Sequence, residues 1–323
     1  MPGASRIALV TGAAGQDGIY LSRQLADAGV EVIAGVLPDP SKLASLEPAP
    51  PGRLTYLQHP RISVVPLDIT DTAGFAALLR ARQVDEIYNL AALSSVAQSW
   101  DDPQTTAAVN ADAVAGMLAA VRHVRPGTRF FQASSVQAGT SSPYAASKLA
   151  AEGAVLDARA AGVFAICGRL ANHESPLRPA HFVSRRVARA AALGETLELG
   201  SLSPERDWGH ARDHVAAMPL LLRLDDPLDA DICTGTMRPL RALVHAAYRA
   251  AGLSPQEYVV ETDAVARPAD PASVGGSPEA LMAATGWRAR ITLEELMAEM
   301  VAVERVRIAS GLEDAPDYLT AGR

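Results

Sequence analysis

A tyrosine and a lysine four positions apart, Tyr144 and Lys148, form the pattern with the clearest chemistry in this sequence. In a helix the two side chains would share one face, because residues four apart are neighbours there. A lysine cation near a tyrosine favours the phenolate and lowers its pKa, so Tyr144 can serve as a general base toward a hydroxyl. Ser134 and Ser135 can supply a hydroxyl that hydrogen-bonds the reacting oxygen. The alternative is a surface tyrosine with a solvated lysine.

A site that oxidises an alcohol needs a hydride acceptor, and the N-terminal segment predicts where one binds. An apolar run at 7–10 leads into Gly12, Gly15 and Gly18, a GxxGxxG spacing that opens a helix-like segment. Glycines let the backbone approach a pyrophosphate, and a helix start offers free N–H groups and a positive dipole end. This strand–turn–helix context is typical of a dinucleotide fingerprint. The alternative is an ordinary glycine turn.

The end of the second apolar run, 30–36, predicts which dinucleotide is bound. An acid there holds the ribose 2′-hydroxyl of NAD, whereas an arginine accommodates the 2′-phosphate of NADP. The segment reads Gly-Val-Leu-Pro-Asp over 35–39, without an arginine and with Asp39 slightly late. We therefore expect NAD rather than NADP.

Alternating strand-like and helix-like segments supply the scaffold for these residues. Further apolar runs lie at 62–65, 86–90, 128–133 and 163–169, with helix-like segments at 72–82 and 103–123 between them. This alternation predicts an α/β fold: a Rossmann-type, doubly wound parallel sheet with right-handed crossovers. A smaller, mixed C-terminal substrate lobe follows. We expect a dinucleotide-binding domain at 1–170 and a substrate lobe at 171–323, interleaved at a soft boundary.

Composition limits the classes of partner. The chain has 323 residues, 49% of them hydrophobic, and a net charge of −7 without a basic run, which argues against nucleic acid. No apolar run reaches the length of a membrane span and the N-terminus has no signal core, so we expect a cytoplasmic protein with no membrane partner. Cys167 and Cys233 lie in separate apolar runs and predict buried thiols, not a disulfide or a metal site.

Several segments together resemble the extended short-chain dehydrogenase/reductases, and within them the GDP-mannose 4,6-dehydratases. The segments are TGAAGQDGIYL, YNLAALSSVAQSW, RLANHESPLR, FVSRR, LGSLSPERDWGHARD, the pair Arg267-Pro268 and GWRARITLEELMAEMV. The resemblance covers nearly the whole chain. NHESP and RDWGHARD are specific well beyond the superfamily.

The resemblance implies roles for the matching positions. Around the cofactor's pyrophosphate it places Gly12, Gly15, Gln16, Asp17 and Gly18. Around its adenosine and ribose it places Asp68, Ile69, Leu90, Ala91, Ala92 and Ser94, and at the nicotinamide ribose the catalytic Tyr144 and Lys148, with Ser135 as the third catalytic residue. For a GDP-sugar it implies contacts from Asn172, Val183, Arg186, Arg206 and Arg267.

Some of these positions keep a plain structural alternative. Asp68 is as well suited to a helix cap or a turn. Arg206 and Arg267 suit a diphosphate through their forked donors, but solvated surface arginines are common. His173 and His210 we interpret as structural, because the oxidation needs neither.

Three departures from the family pattern change the expected chemistry. Gln137 stands where the family has the glutamate that removes the C5 proton, and an amide cannot be a general base near neutral pH. Only nine positions separate Ser135 from Tyr144, where the family carries a longer loop that walls the sugar pocket. Leu37-Pro38 stands where the family has paired arginines, and the absence of these arginines favours NAD and argues against a tetramer.

These observations favour a redox-neutral GDP-sugar 4-epimerase that oxidises C4 and reduces it on the other face. The alternatives are a GDP-mannose 4,6-dehydratase with a substitute base, a 4-keto-sugar reductase, and a catalytically inactive protein that binds nucleotide sugar or NAD. Helices over 102–123 and 144–161 predict a homodimer, although apolar helices of this kind also pack internally.

Overall fold

The computed structural model describes residues 6–37, 52–262 and 271–319 of the chain. Asp39, Arg267 and the proline of the Leu37-Pro38 pair, all named above, lie outside these residues. The described strands are β1 (Ile7–Thr11), β2 (Glu31–Val36), β3 (Ile62–Pro66), β4 (Glu86–Asn89), β5 (Arg129–Ser135), β6 (Ala165–Leu170), β7 (Asn172–Glu174), β8 (Leu197–Leu199), β9 (Glu205–His210), β10 (Ala230–Ile232), β11 (Met237–Pro239), β12 (Val259–Glu261) and β13 (Ser273–Val274).

The helices alternate with the strands through most of the chain. They are α1 (Gln16–Asp27), α2 (Thr72–Ala81), α3 (Val96–Asp101), α4 (Pro103–Ala107), α5 (Ala113–Val124), α6 (Pro143–Ala160), α7 (Val183–Leu193), α8 (Ala211–Leu222), α9 (Leu240–Ala251), α10 (Pro255–Tyr258), α11 (Glu279–Thr285) and α12 (Leu293–Ser310). Short 3-10 helices cover Arg53–Leu57 and Pro316–Leu319, and a π-helical turn covers Ala108–Asp112. None of these helices is long and apolar enough to cross a membrane.

Within the described residues, seven strands form the main sheet, in the order β10-β6-β5-β4-β1-β2-β3. Each neighbouring pair in it is parallel. The strand order reverses direction at β1, so the carboxyl ends of β1 and β4 border the crevice where such sheets bind ligands. The predicted doubly wound parallel sheet is confirmed.

Alternation along the strands divides the core of this sheet into two layers. Ala8 and Val10 of β1 pack with α1 and α8 on one face, whereas Leu9 packs with α2, α5 and α6 on the other. Successive side chains of a strand point to opposite faces, and both faces here are apolar. Both free cysteines are buried.

The predicted helix over 103–123 is built from three consecutive pieces, namely α4, the π-helical turn and α5. Within the turn, Asn110 Nδ2 donates to the carbonyl of Leu93 at 3.0 Å and to Ser147 Oγ at 3.1 Å. In the sequence, an asparagine within a helix-like segment does not predict these two hydrogen bonds. The turn ties the loop after β4 to α6, and such turns are frequent at functional sites.

The rest of the chain forms a smaller mixed lobe. β9 pairs with β7, β11 and β13, and α7, α9 and α12 enclose a separate core that contains Trp208 and Tyr248. α8 and β10, which come after position 171, nevertheless pack on or join the main sheet. The division of the chain near residue 170 stays a prediction.

Candidate functional site

The carboxyl end of β5 and the start of α6 bring the predicted catalytic residues together. Ser142 caps α6 by accepting a hydrogen bond from the Ala145 N–H at 3.1 Å, and Pro143 occupies the first turn. This start places Tyr144 and Lys148 one turn apart on the buried face of the helix. The ammonium of Lys148 lies 5.7 Å from the centroid of the Tyr144 ring.

The protonation of this pair differs from the sequence-based expectation. Burial raises the pKa of Tyr144, and a hydrogen bond with Ser135 and the nearby Arg178 cation offset only part of that rise. Burial also lowers the pKa of Lys148 to about 8, and its Nζ donates to the carbonyl of Ala133 at 2.9 Å. The expectation of a lowered tyrosine pKa is therefore wrong for this structure, because the loss of water around the phenol outweighs the Ser135 hydrogen bond and the Arg178 cation.

The two serines of β5 have different surroundings. Ser134 Oγ donates to Glu152 Oε1 at 2.6 Å, and the same carboxylate accepts from Arg169 Nη2 at 2.6 Å. Ser135 instead shares a hydrogen bond with Tyr144, and its Oγ also accepts from the Gln137 N–H at 3.1 Å. Of the two hydroxyls, only that of Ser135 is placed to act with Tyr144.

The glycine turn lies at the carboxyl end of β1 and needs residues without side chains. Gly12 has a φ of +63°, and a Cβ on it would lie 2.8 Å from the Ala91 nitrogen. A Cβ on Gly18 would collide with the Gly12 carbonyl. Thr11 Oγ1 accepts from the N–H groups of Leu90 and Ala91, at 3.2 and 3.1 Å, which fixes the β4 loop beside the turn.

The remaining predicted cofactor residues follow β3 and β4. Asp68 Oδ1 accepts from the N–H and hydroxyl of Thr70, at 2.9 and 2.7 Å, so in this structure its carboxylate stabilises a turn. Ile69 is buried in the core, Ala92 is half-buried and Ser94 is exposed. Their contacts with a cofactor stay predictions.

Gln16 and Asp17 join the glycine turn to β7. Gln16 Nε2 donates to the His173 carbonyl at 3.1 Å, and its Oε1 accepts from Ser175 Oγ at 2.8 Å. Asp17 Oδ2 lies 2.8 Å from His173 Nε2, while His173 Nδ1 lies 2.7 Å from the Ala171 carbonyl. A carboxylate and a carbonyl both accept, so both ring nitrogens must donate and His173 is an imidazolium.

The pKa shifts agree with this ion pair. Burial opposes ionisation of Asp17, but the charge and hydrogen bond of His173 prevail and hold its pKa at about 2. Burial likewise opposes the imidazolium, and Asp17 prevails, so the pKa of His173 is raised. The sequence analysis interpreted His173 as structural, and no local pattern reveals a partner that lies 156 positions away.

Arg178 is a site residue that the sequence analysis missed. Its Nε lies 3.0 Å from Glu174, and its guanidinium lies 3.7 Å from the centroid of the Phe182 ring. From there its charge favours the anionic forms of both Tyr144 and Asp17. Arg178 and His173 are each paired with a carboxylate, Glu174 and Asp17, so this part of the site consists of two neighbouring ion pairs.

The predicted substrate residues occupy the smaller lobe. Asn172 is half-buried and pairs in register with Trp208 on β9, the strand that also carries the buried Arg206. Arg206 Nη1 donates to the Glu205 carbonyl at 2.7 Å. At the start of α7, Val183 is half-buried and Arg186 is exposed. Their contacts with a nucleotide sugar stay predictions.

Gln137 lies in the short connection between β5 and α6. The connection is a tight turn, in which the Ala138 N–H donates to the Ser135 carbonyl and the Thr140 N–H to the Gln137 carbonyl, each at 2.9 Å. Three carboxylates on the elements of this site are paired with cations: Asp17 with His173, Glu152 with Arg169 and Glu174 with Arg178. None of these three is an unpaired carboxylate that could replace a glutamate at position 137.

Comparison with known proteins gives a consistent result. The family model for GDP-mannose 4,6 dehydratase matches residues 9–300. A GDP-mannose 4,6-dehydratase of Sinorhizobium fredii is 34% identical over 337 residues, covering 92% of this chain and 95% of that protein. One of Yersinia enterocolitica is 33% identical over 351 residues, covering 91% and 92%.

Solved structures agree at the level of the fold. A Thermus thermophilus UDP-glucose 4-epimerase in complex with NAD has a TM-score of 0.78 at 25% identity, covering 93% of this chain and 99% of that one. A Bacillus anthracis dTDP-glucose 4,6-dehydratase in complex with NAD has a TM-score of 0.81 at 19% identity, covering 94% and 98%. The resemblance predicted from the sequence is confirmed.

Proposed function

Because this chain belongs to the GDP-mannose 4,6-dehydratase family, we propose that it is an NAD(P)-dependent enzyme that modifies the hexose of a GDP-sugar at C4. We further propose that the product is the C4 epimer. The observation that carries this choice is Gln137, in the place of the family's glutamate, in a site where Asp17, Glu152 and Glu174 are paired with cations.

The glycine turn fits a dinucleotide. The space that a Cβ on Gly12 or Gly18 would need is already occupied by backbone, so the turn is closely packed and without side chains at these positions. The N–H groups at the start of α1 can then bind a pyrophosphate. Bound there, NAD would supply the acceptor and donor of the C4 hydride. We propose NAD over NADP because β2 runs into the exposed Leu37 instead of an arginine.

Tyr144, Ser135 and Lys148 divide the proton chemistry. Tyr144 takes the proton of the C4 hydroxyl, and Ser135, already hydrogen-bonded to Tyr144, would donate to the same oxygen. Because burial opposes the phenolate, Tyr144 depends on nearby cations when it is ionised, and Lys148 and Arg178 supply them. The same tyrosine returns the proton when the ketone is reduced.

Loss of water across C5 and C6 needs a group that accepts the C5 proton. Gln137 has no basic lone pair near neutral pH, and Asp17, Glu152 and Glu174 are held by His173, Arg169 and Arg178. Without elimination the 4-ketone persists until it is reduced. The short turn between β5 and α6 supports a pocket with room for the keto sugar to present its other face.

The GDP-sugar assignment is supported by the substrate lobe. Arg206 is buried beside the strand that carries Asn172, and a guanidinium matches the oxygens of a diphosphate. We include Val183, Arg186 and Arg267 in this proposed subsite. If UDP-glucose or dTDP-glucose bound more tightly than GDP-mannose in a calorimetric titration, the GDP assignment would be wrong.

The product decides between the proposed reaction and its alternatives. The purified protein is incubated with GDP-mannose and NAD in deuterated water, and the sugar is analysed by mass spectrometry and NMR. An isomeric GDP-hexose without solvent deuterium is expected. A product that has lost water and gained deuterium at C5 or C6 would mean a dehydratase with a substitute base, the reaction named for the curated relatives. Turnover only with a keto sugar and reduced cofactor would indicate a reductase.

Restoring the missing carboxylate tests the role of Gln137. Gln137→Glu should create or increase the dehydrated product, because a carboxylate can accept the C5 proton. Gln137→Met, which adds no base, is the matched control and should not. Unchanged products from Gln137→Glu would assign the loss of elimination to the shortened turn instead.

We also propose a homodimer formed by α5 and α6. The outer face of α6 carries an apolar stripe with Leu149 and Leu156, which are 52% and 54% exposed. Ala146 and Ala150 continue the stripe at helical spacing. Leu149→Glu with Leu156→Glu should yield a monomer by light scattering, whereas Leu312→Glu, at an exposed leucine elsewhere, should not. A monomeric wild-type protein would refute the dimer.

A cytoplasmic location is likewise a proposal. Two buried cysteines without a disulfide are typical of a reducing compartment.

A further inference from the structure

The segment 174–178, named loop 174–178 here, comprises the last residue of β7 and the turn that follows it. It carries a contact of the glycine turn and a charge that acts on the predicted base. Ser175 Oγ donates to Gln16 of the glycine turn at 2.8 Å and accepts from the Leu177 N–H at 3.1 Å. At the other end of the loop, Arg178 carries the positive charge that acts on Tyr144 and Asp17. Any shift of this loop therefore moves a contact of the cofactor turn, at Gln16, and a charge that acts on the predicted base.

Three arginines, two of them from distant parts of the chain, hold three successive carbonyls of this loop. Arg307 Nη2 of α12 donates to Pro176 at 2.6 Å, and Arg53 Nη2 of the first 3-10 helix donates to Leu177 at 2.7 Å. Arg185 Nη1 of α7 donates to Arg178 at 3.1 Å. We call Arg53, Arg185 and Arg307 the arginine clamp.

Acidic residues balance most of the charge of the clamp. Glu304, which is 1% exposed, accepts from Arg185 Nε at 2.8 Å and from Arg307 Nη1 at 2.6 Å. Glu313 lies 2.6 Å from Arg185 Nη1. Burial lowers the pKa of Arg53, and Asp314 is the main group that opposes this shift.

Stability alone is a weak reason for such a cluster. Ion pairs out of water lose hydration, and apolar residues of similar volume often stabilise a protein as well or better. Guanidinium N–H groups fix the orientation of each carbonyl that they bind, which apolar side chains cannot do. Residues 176–178, which carry these carbonyls, lie outside the described helices and strands, so no regular secondary structure fixes them.

We propose that the arginine clamp consists of positioning residues that set loop 174–178, so that Ser175 holds Gln16 of the glycine turn and Arg178 stays paired with Glu174. The clamp acts through the loop and does not itself touch the reacting atoms. The inference rests on the proposed function only where turnover of a sugar is measured, because cofactor binding reports on the Gln16 contact independently.

Arg53 is the member to test, since it makes no ion pair with Glu304 and its loss leaves the cluster between α7 and α12 intact. Arg53→Met should weaken NAD binding and raise the KM for GDP-mannose about tenfold, because small misplacements of site groups are costly. Arg53→Lys, which keeps a donor, should recover most of both. Hydrogen exchange of the amides in loop 174–178 should accelerate in Arg53→Met.

The matched control is Arg23→Met. Arg23 Nη1 also donates to a backbone carbonyl, that of Gln58 at the end of the same 3-10 helix, at 3.0 Å. This variant should leave the NAD dissociation constant, KM and loop exchange unchanged. Arg53→Gln, too short to reach the Leu177 carbonyl, is measured in parallel in case Arg53→Met does not fold.

The outcomes separate the two proposals. If Arg53→Met and Arg53→Gln match Arg23→Met in NAD affinity and loop exchange, the clamp is refuted, even if their Tm falls. If the wild-type protein binds NAD but neither binds nor converts GDP-mannose, the proposed function fails and NAD affinity with loop exchange alone decides on the clamp.

Discussion

The glycine turn and loop 174–178 are in contact through Gln16 and Ser175, yet they are held in different ways. The turn excludes side chains, because a Cβ at Gly18 would meet the turn's own backbone at Gly12 and Ala13, and a Cβ at Gly12 would meet Ala91 in the loop after β4. The loop is set by Arg53, Arg185 and Arg307, two of which lie more than 100 positions from it. The first kind of construction is visible in a sequence pattern, and the second is not.

The largest effect is expected from breaking the glycine turn. Gly18→Ala would drive a Cβ into the Gly12 carbonyl and the Ala13 backbone, neither of which is a flexible side chain. We expect a loss of about 1–3 kcal/mol in the free energy of unfolding and a fall in NAD affinity of at least about tenfold. Urea unfolding and calorimetry measure both.

Gly127→Ala is the control for this prediction, because a Cβ there would meet nothing within 4 Å. It should leave NAD affinity unchanged. Normal NAD affinity in Gly18→Ala would mean that the turn adapts and is not held by its own backbone contacts.

The Asp17–His173 pair joins the two regions, and its contribution should depend on pH. The pKa of Asp17 is lowered to about 2, so its contribution is present above the usual aspartate range and is lost as pH falls toward 2. The pKa of His173 is raised, so its contribution is complete below 6.5 and is lost as pH rises through the raised value. The difference in Tm between wild type and Asp17→Asn should therefore be greatest between about pH 4 and 6.5.

A second aspartate–histidine pair provides the control for this pH window. Asp27 and His59 are 3.5 Å apart at the surface, where Asp27 is largely exposed. Asp27→Asn should change Tm little at every pH, because solvent screens such pairs. An Asp17→Asn difference that stays flat from pH 4 to 9 would contradict a charged pair at Asp17 and His173.

The smallest effect is expected at the edge of the clamp. Arg189 lies 3.5 Å from Glu304, but its side chain is 53% exposed and it has no bond to the loop among those described. Arg189→Met should cost about 0–1 kcal/mol in stability and leave NAD affinity unchanged. A clear loss of NAD affinity would mean that Arg189 also belongs to the arginine clamp and acts on the loop through Glu304.

Much of the scaffold and part of the site follow from local patterns. The alternation of apolar runs predicted the parallel sheet, and the GxxGxxG spacing predicted the turn at the end of β1. The four-residue spacing of Tyr144 and Lys148 placed both on the buried face of α6. The protonation of the pair was predicted wrongly for Tyr144, since burial is a property of the packed fold and not of the spacing.

By itself, the sequence determined the fold family, the glycine turn, the Tyr144–Lys148 pair and the replacement of a glutamate by Gln137. These features depend on neighbours within one or two turns of chain, so residue type and spacing suffice. Only the tertiary structure decided that Ser135 and not Ser134 meets Tyr144, that His173 is an imidazolium, and that three arginines hold loop 174–178. Each of these depends on which distant groups share a buried space, where an unpaired charge or carbonyl would be costly.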